Sequence, residues 1–539
     1  MSSYLTLHNP RNARDYYARS LWREDTFYTL LEKHAQQNPE QLAIRDKRQG
    51  LNWASLKARV DALADELRQL GVCAGDRISL WLTDRIEVLV SFLACSKVGA
   101  ACNPTIHGNY SNERVARLIT SIGAKVLISE IALMKPYKEY FEAIVSSHDN
   151  PLQEILLAEE FPEHIISVEN NYQADPDAVA YLAFTSGTTG DPKCVMHSAN
   201  TLLSNARNLA HDWSLSDRDT ILTLSSTSHH IAWVAIGQWL ISGALLVLPL
   251  ARQGRENLEW LMENEASYVL GVPTHAMDIL NAQQEAGVKR LSSVRVFYLA
   301  GAAIPRTVAE AFVKQGIKPQ SVYGMTENSS HHYTHPNDDI ETLVTTCGRG
   351  GSAYELKIWS QENRNEEVPV GTIGEIGGKG ACLMLGYFDN QRETEHSFNQ
   401  HGYFMSGDLG KMDAKGNVSI IGRKRELIIR GGFNIYPTQI EDLALQYPDL
   451  INIAVFGVPD DRLGERACMA LIGSVDPHDL LQFLYEKGLS KYEMPEWFVQ
   501  MESFPLTPSG KVFKRELIMM YEKGQIQLEP IKFALKDEA

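Results

Sequence analysis

A chain of 539 residues exceeds what one hydrophobic core supports, so its length predicts two or more domains. With 44% hydrophobic, 9% aromatic and 22% charged residues, it is neither disordered, collagenous nor coiled coil. The net charge of −16 argues against nucleic acid or an anionic membrane as partner, since both need a basic face. The seven cysteines (Cys73, Cys95, Cys102, Cys194, Cys347, Cys382, Cys468) are scattered with no C-x-x-C pair. That pattern argues against a zinc module or a disulfide framework and predicts a reducing, cytoplasmic setting. The first twenty residues contain no apolar run, so no signal peptide is expected.

Leu56, Val60, Leu63, Leu67 and Leu70 recur at 4-3-4-3 spacing and predict an amphipathic helix ending at Gly71. Arg77–Leu82 reads as a buried strand, Ile86–Val98 as a largely buried helix stopped by Gly99, Ser111–Ile122 as a helix, and Lys125–Ser129 as a strand. Strands separated by helices mean βαβ units and a mostly parallel sheet. Trp233–Leu250 runs eighteen residues without a charge, nearly the length of a membrane span. Gln238, the Ser242-Gly243 break and Pro249 instead predict a buried helix followed by a core strand, with no integral membrane span. From Gly402 to Ile429 the pieces become short, strand-like and separated by Gly-rich turns. Strands at Ile451–Val458 and Ala467–Gly473 and a helix at Asp479–Gly488 follow. A boundary near Arg425 is expected, dividing the chain into residues 1–424 and a C-terminal α+β domain, 425–539.

The segment Tyr181–Ser198 carries the most chemistry. An apolar strand, Ala180–Phe184, runs into Thr185, Ser186, Gly187, Thr188, Thr189, Gly190, Asp191, Pro192 and Lys193. The two glycines permit a sharp turn, and the four hydroxyls and Lys193 supply donors and a cation to a polyphosphate, whose oxygens only accept. It is not a Walker A loop, because Lys193 stands three residues after Gly190 instead of directly after it. A Ser/Gly-rich surface turn is the ordinary alternative, but nine residues of this chemistry directly after a buried strand disfavour it.

The sequence TSGTTGDPK resembles the phosphate-binding signature of the adenylate-forming (AMP-binding) superfamily, which includes acyl-CoA synthetases, peptide-synthetase adenylation domains and firefly luciferases. Further segments resemble the family's other motifs, in the family's order: AGAAIP (Ala300–Pro305), VYGMTENS (Val322–Ser329), YFMSGDLG (Tyr403–Gly410), GRKREL (Gly422–Leu427), GGFNIYPTQIE (Gly431–Glu441) and PLTPSGKVFKREL (Pro505–Leu517). Ser321 and Val322 depart from the Gln or Asn and small residue that many relatives carry before the Tyr. The resemblance implies an α/β fold, with a large N-terminal domain of mostly parallel sheets wrapped by helices, a small β-rich subdomain and a smaller mobile C-terminal α+β domain.

By that resemblance Gly301, Ala302 and Ala303 line the adenine and Tyr323 stacks on it. Thr326 bonds the α-phosphate, and Glu327 holds Mg²⁺ directly or through water, as suits a hard cation shared with phosphate oxygens. Asp408 accepts from both ribose hydroxyls and Arg423 also reaches the ribose; a hairpin must join these two, fifteen residues apart. Arg425 is the hinge, and Gly431 and Gly432, read as permitting close backbone approach, line the CoA channel. Lys511 is the catalytic lysine that bridges carboxylate and α-phosphate as charge builds. His230 or His229 covers the acyl pocket, which Gly324 edges. The run His331–His335 reads as polar lining, lacking the helical i,i+4 spacing and carboxylate usual at zinc sites.

The activity implied is an ATP-dependent carboxylate–CoA ligase with ATP, Mg²⁺ and CoA, forming an acyl adenylate and then a thioester. Loading of a carrier protein by a stand-alone ligase, or a nucleotide-binding pseudoenzyme, are the alternatives. A kinase would release ADP. Twenty-eight residues follow Lys511 and the chain ends without a Ser-Lys-Leu address, so neither a further carrier domain nor a luciferase-like protein is expected. The acid is left open among medium-chain, alicyclic and aromatic, and the assembly between monomer and homodimer.

Overall fold

The computed structural model describes residues 9–147, 150–162, 175–185, 192–250, 254–291, 293–506 and 512–533. The chain packs as two units, Met1–Glu355 with Lys379–Phe398, and Leu356–Gly378 with Asn399–Ala539. Arg425 lies inside the second unit, in the single 3-10 turn Lys424–Glu426 between the strands Val418–Arg423 and Ile428–Arg430.

In the first unit the predicted amphipathic segment is the helix Trp53–Gln69. Asn52 starts it, its side chain accepting from the Ser55 amide at 2.8 Å. Leu56, Val60, Leu63 and Leu67 are fully buried, each burial stabilising by about 1.5–3 kcal/mol. Their stripe packs on the helix Ile86–Val98, which is apolar nearly all round because both its sides are covered.

Among the described residues this unit holds two sheets. One has the order Ser329–Tyr333, Lys318–Met325, Val296–Ala300, Tyr268–Gly271, Thr220–Thr223, Leu245–Val247, Leu42–Arg45, Gly50–Asn52. Its inner strands are parallel and only the two outermost pairings are antiparallel. The other has the order Gly386–Tyr387, Lys193–Ser198, Val179–Thr185, Ala101–Asn103, Arg77–Trp81, Val126–Ser129, Glu154–Leu157. From Val179–Thr185 onward it is parallel, and the first two pairings are antiparallel.

The uncharged stretch is the helix His230–Ser242 followed by the strand Leu245–Val247. Thirteen residues are too few to span a bilayer, and no helix among the described residues is long and apolar enough to cross a membrane. The helix is held by aromatic packing. Trp239 stacks on Trp53 with ring centroids 5.1 Å apart, and Trp53 stacks in turn on His34 at 4.6 Å. The Trp239 indole donates to the Ala43 carbonyl at 2.8 Å.

Most of the sheet Tyr354–Trp359, Gly374–Gly380, Phe404–Met412, Val418–Arg423 belongs to the second unit. That unit also contains a sheet built on the long antiparallel pair Leu450–Asp460 and Gly464–Gly473. The helices Pro437–Ala444 and Pro477–Glu486 cover it through Ile440, Ala444, Leu480, Leu481 and Leu484. The first of these starts at Pro437, since a proline at the first helical position loses no hydrogen bond.

Because Trp239 is fully buried and satisfies its indole N–H, Trp239→Ala is expected to destabilise the first unit by about 3–5 kcal/mol. Urea unfolding measures this, and a loss below about 1 kcal/mol would show that the site collapses around the gap.

Candidate active site

The residues of the first unit expected to meet a nucleotide stand at the carboxyl ends of parallel strands from both sheets. Thr185 closes Val179–Thr185, Gly301, Ala302 and Ala303 follow Val296–Ala300, and Tyr323 to Glu327 end Lys318–Met325. Open α/β sheets bind ligands along this edge. Gly301, Ala302 and Ala303 are all exposed, which leaves their backbone accessible. Ser186, Gly187, Thr188, Thr189, Gly190 and Lys511 lie outside the described residues.

The strands flanking the phosphate loop form an antiparallel hairpin in which Thr185 faces Lys193, and the Thr185 hydroxyl lies 3.4 Å from the Lys193 carbonyl. Four residues along, His197 is fully buried. Its Nε2 donates to the Thr326 carbonyl at 2.7 Å and its Nδ1 lies 3.0 Å from the Thr201 hydroxyl, which fixes one neutral tautomer. This contact joins the hairpin of one sheet to the Thr326–Glu327 turn of the other.

That turn is a tight link between Lys318–Met325 and Ser329–Tyr333, with Met325 paired to Ser329. Asn328 closes it, its side-chain oxygen accepting from the Met325 amide at 3.1 Å. Ser329 has φ +55°, a left-handed conformation rare for a non-glycine residue. The backbone passes so close here that a Cβ on Gly324 would overlap the Ser329 carbonyl. Gly324, expected to edge an acyl pocket, therefore has a local reason to be glycine. Glu327 is held by two groups from one segment: its carbonyl accepts from the Met384 amide at 2.7 Å, and its Oε1 from the Tyr387 hydroxyl at 2.9 Å.

Tyr323 is half-buried with its ring edge-on to His331, centroids 5.3 Å apart. His331 and His332 are buried, Nδ1 to Nδ1 at 2.9 Å, with His331 also packed 4.1 Å from the Tyr354 ring. His230, an expected pocket residue, has both ring nitrogens engaged, by the Tyr181 hydroxyl at 3.2 Å and the Ser329 hydroxyl at 3.1 Å. His229 lies 4.7 Å from the His107 ring, and His107 contacts Ser228 at 3.0 Å. No sequence motif assigns a role to His107, Tyr181, His197, Tyr387 or Glu393, although Tyr181 and His197 stand inside the segment Tyr181–Ser198. Their partners are 49 to 200 residues away, so no local spacing reveals them.

In the second unit, Asp408 and Arg423 are direct cross-strand partners, with Arg423 Nε 3.3 Å from Asp408 Oδ1. Gly431 and Gly432 have φ +57° and +87° and form the turn between Ile428–Arg430 and Phe433–Ile435. A Cβ on Gly432 would meet nothing within 4 Å. These glycines serve the left-handed turn of a hairpin, and a Cβ on Gly431 would lie 3.2 Å from the Leu463 side chain.

A divalent cation fits this chemistry in one form only. No group of three or more His, Cys, Asp or Glu among the described residues is placed to hold a metal. The Glu327 carboxylate supplies a hard oxygen donor, which suits Mg²⁺ sharing its shell with phosphate and water.

Burial pushes His107, His197 and His332 down to about 4; the charges of His229 and Arg114 add to the effect at His107. Burial, then His197, pushes His230 to about 3. The unfolded chain takes up these protons near pH 6.5, whereas the folded chain resists until about pH 4. Stability is therefore full above about pH 6.5 and falls on acidification through that window. Urea midpoints are expected to drop between pH 6.5 and 5, and His197→Gln to flatten the slope by up to about 1.4 kcal/mol per pH unit. Midpoints that do not move with pH would contradict the neutral, buried state of these rings.

Residues 31–388 match the AMP-binding enzyme family, and residues 439–511 the AMP-binding enzyme C-terminal domain. The medium-chain fatty-acid–CoA ligase of Escherichia coli K12 is 28% identical, over 95% of this chain and 93% of the relative. Human mitochondrial medium-chain acyl-CoA ligase ACSF2 is also 28% identical, over 92% and 87%. Among solved structures, ATP-bound MatB from Rhodopseudomonas palustris superposes with a TM-score of 0.81 at 25% identity, covering 92% of this chain and 99% of that one. The o-succinylbenzoate CoA synthetase MenE from Bacillus subtilis, bound to its acyl adenylate OSB-AMP, gives the same TM-score and identity, covering 92% and 98%. The strand-end loops, the hairpin bearing Thr185 and Lys193 and the Thr326–Glu327 turn thus sit in a chain that belongs to the AMP-binding enzyme family.

Proposed function

We propose that the protein is an ATP-dependent carboxylate–CoA ligase, with a medium-chain carboxylic acid as the first acid to test. The observation that carries this reading is the His197–Thr326 hydrogen bond, because it holds the base of a phosphate-binding hairpin against a turn bearing a hydroxyl and a carboxylate. The names of the relatives supply the class of acid and the thiol acceptor.

The substrate carboxylate attacks the α-phosphorus of ATP in line. The bond to the bridging oxygen breaks, pyrophosphate leaves, and a mixed anhydride with AMP remains. Catalysis is mainly positioning and charge neutralisation. The Thr185–Gly190 segment surrounds the phosphates, Thr326 donates its hydroxyl to the α-phosphate, and Tyr323 and Gly301–Ala303 hold the adenine between a ring and open backbone. Asp408 takes the two ribose hydroxyls, with Arg423 beside it. Mg²⁺, when held by Glu327, neutralises phosphate charge. Lys511 stabilises charge between carboxylate and α-phosphate.

In the second half-reaction the CoA thiol attacks the acyl carbon and AMP leaves. We assign to Arg425 the backbone rotation that withdraws Lys511, and to the Gly431–Gly432 turn the wall of the thiol path. His229 and His230 stand at the start of the apolar helix His230–Ser242, which we take as one side of the acyl pocket. Seven free cysteines agree with a reducing compartment, and we place the protein in the cytoplasm.

With ATP, CoA and a panel of acids, turnover is expected to release AMP and pyrophosphate; ADP would refute the ligase. Lys511→Ala is expected to lower acyl-adenylate formation by about 10²–10³-fold while thioester formation from supplied adenylate stays within about threefold. Equal loss of both half-reactions would remove Lys511 from the first step.

A further inference from the structure

The cation at the base of the phosphate hairpin is already committed to protein groups. Lys193 opens the strand Lys193–Ser198, and its ammonium pairs with the Glu393 carboxylate. The same ammonium lies 5.0 Å from the centroid of the Tyr387 ring. The two side chains of the ion pair are only 26% and 31% exposed, so solvent screens the pair less than at an open surface. Tyr387 is registered against Val195, and its hydroxyl donates to Glu327 Oε1 at 2.9 Å.

Both partners of Lys193 sit on one anchored segment. The Tyr387 amide donates to the Thr394 hydroxyl at 2.9 Å, and the Glu393 amide to the Asn390 side chain at 3.1 Å. Glu393 cancels the charge of Lys193, so the pair adds little positive potential for a phosphate. A phosphate taking this ammonium would strip both the carboxylate and the ring from it. Over the ring face, the cation instead polarises the phenol and strengthens its O–H as a donor to the Glu327 carboxylate.

We infer that Lys193 is a positioning residue and not a phosphate ligand: clamped by Glu393, it holds Tyr387 so that the phenol O–H fixes the Glu327 carboxylate. This rests on the ligase reading and reassigns the hairpin lysine within it. Lys193, Tyr387 and Glu393 form one unit, so losing any one disorders the same carboxylate.

The test uses the full chain and four single variants, Lys193→Met, Lys193→Arg, Tyr387→Phe and Glu393→Gln, with the double variant Lys193→Met/Tyr387→Phe. Melting within about 3 °C of the parent confirms folding. Calorimetric titration of ATP in EDTA reads nucleotide binding without metal, and AMP release reads kcat and KM. ATP affinity of Lys193→Met is expected within about twofold of the parent, while kcat falls about tenfold in Lys193→Met, Tyr387→Phe and Glu393→Gln alike. The double variant should lose about the same tenfold, the signature of residues acting as a unit. Lys193→Arg, which keeps a cation for both partners, should recover kcat to within about threefold. A tenfold weaker ATP affinity in Lys193→Met, a multiplied loss of about hundredfold in the double variant, or tighter ATP binding in Glu393→Gln would each overturn the inference. A parent chain that binds no ATP would instead overturn the ligase reading, a failure visible before any variant is made.

Discussion

A hydrogen bond from His197 Nε2 to the Thr326 carbonyl ties two sheets together at the candidate site. The sheet containing Lys193–Ser198 supplies the phosphate hairpin and the sheet containing Lys318–Met325 supplies the hydroxyl and the carboxylate. Neither set has a reason to stay in register with the other unless something spans the gap. A neutral imidazole does so because it donates at one end and accepts at the other. Burial keeps it neutral, and neutrality keeps the acceptor nitrogen available to Thr201.

The Thr326–Glu327 turn is then held from several directions. Gly324 lets the backbone close against Ser329, Asn328 ties the turn to Met325, and Met384 and Tyr387 hold Glu327. Ser329 accepts a left-handed backbone as part of that closure. Strain of this kind, of order 1–3 kcal/mol, persists only where surrounding contacts over-determine it. A carboxylate held this way has little freedom left to lose, and positioning of that kind is how phosphoryl chemistry lowers a barrier.

Much of the fold is legible without coordinates. The helices Trp53–Gln69 and Ile86–Val98 follow from apolar spacing and from glycines just past their ends. The uncharged stretch after Trp233 divides into helix and strand where the Ser242-Gly243 break suggests. The pairing of Asp408 with Arg423 agrees with the hairpin that the family resemblance implies by assigning both to one ribose. Local rules fail where the reason for a residue lies elsewhere in the chain. Gly431 and Gly432 suggest close approach when read as a pair of small residues, and the hairpin turn with left-handed φ that they form shows only in the structure. The His331–His332 pair reads as lining, and the tyrosine rings it packs against, Tyr323 and Tyr354, appear only in the structure.

Periodicity and motif order by themselves determined the class of fold and the family resemblance, because each depends on residues within about one element of each other. Only the tertiary structure decided which side chains those motifs lean on. His197 reaches Thr326 across 129 residues, Tyr387 reaches Glu327 across 60, and Glu393 reaches Lys193 across 200. A hydrogen bond or ion pair acts over about 3 Å of space and has no dependence on separation along the chain. The partners therefore appear only once the strands that carry them are laid side by side.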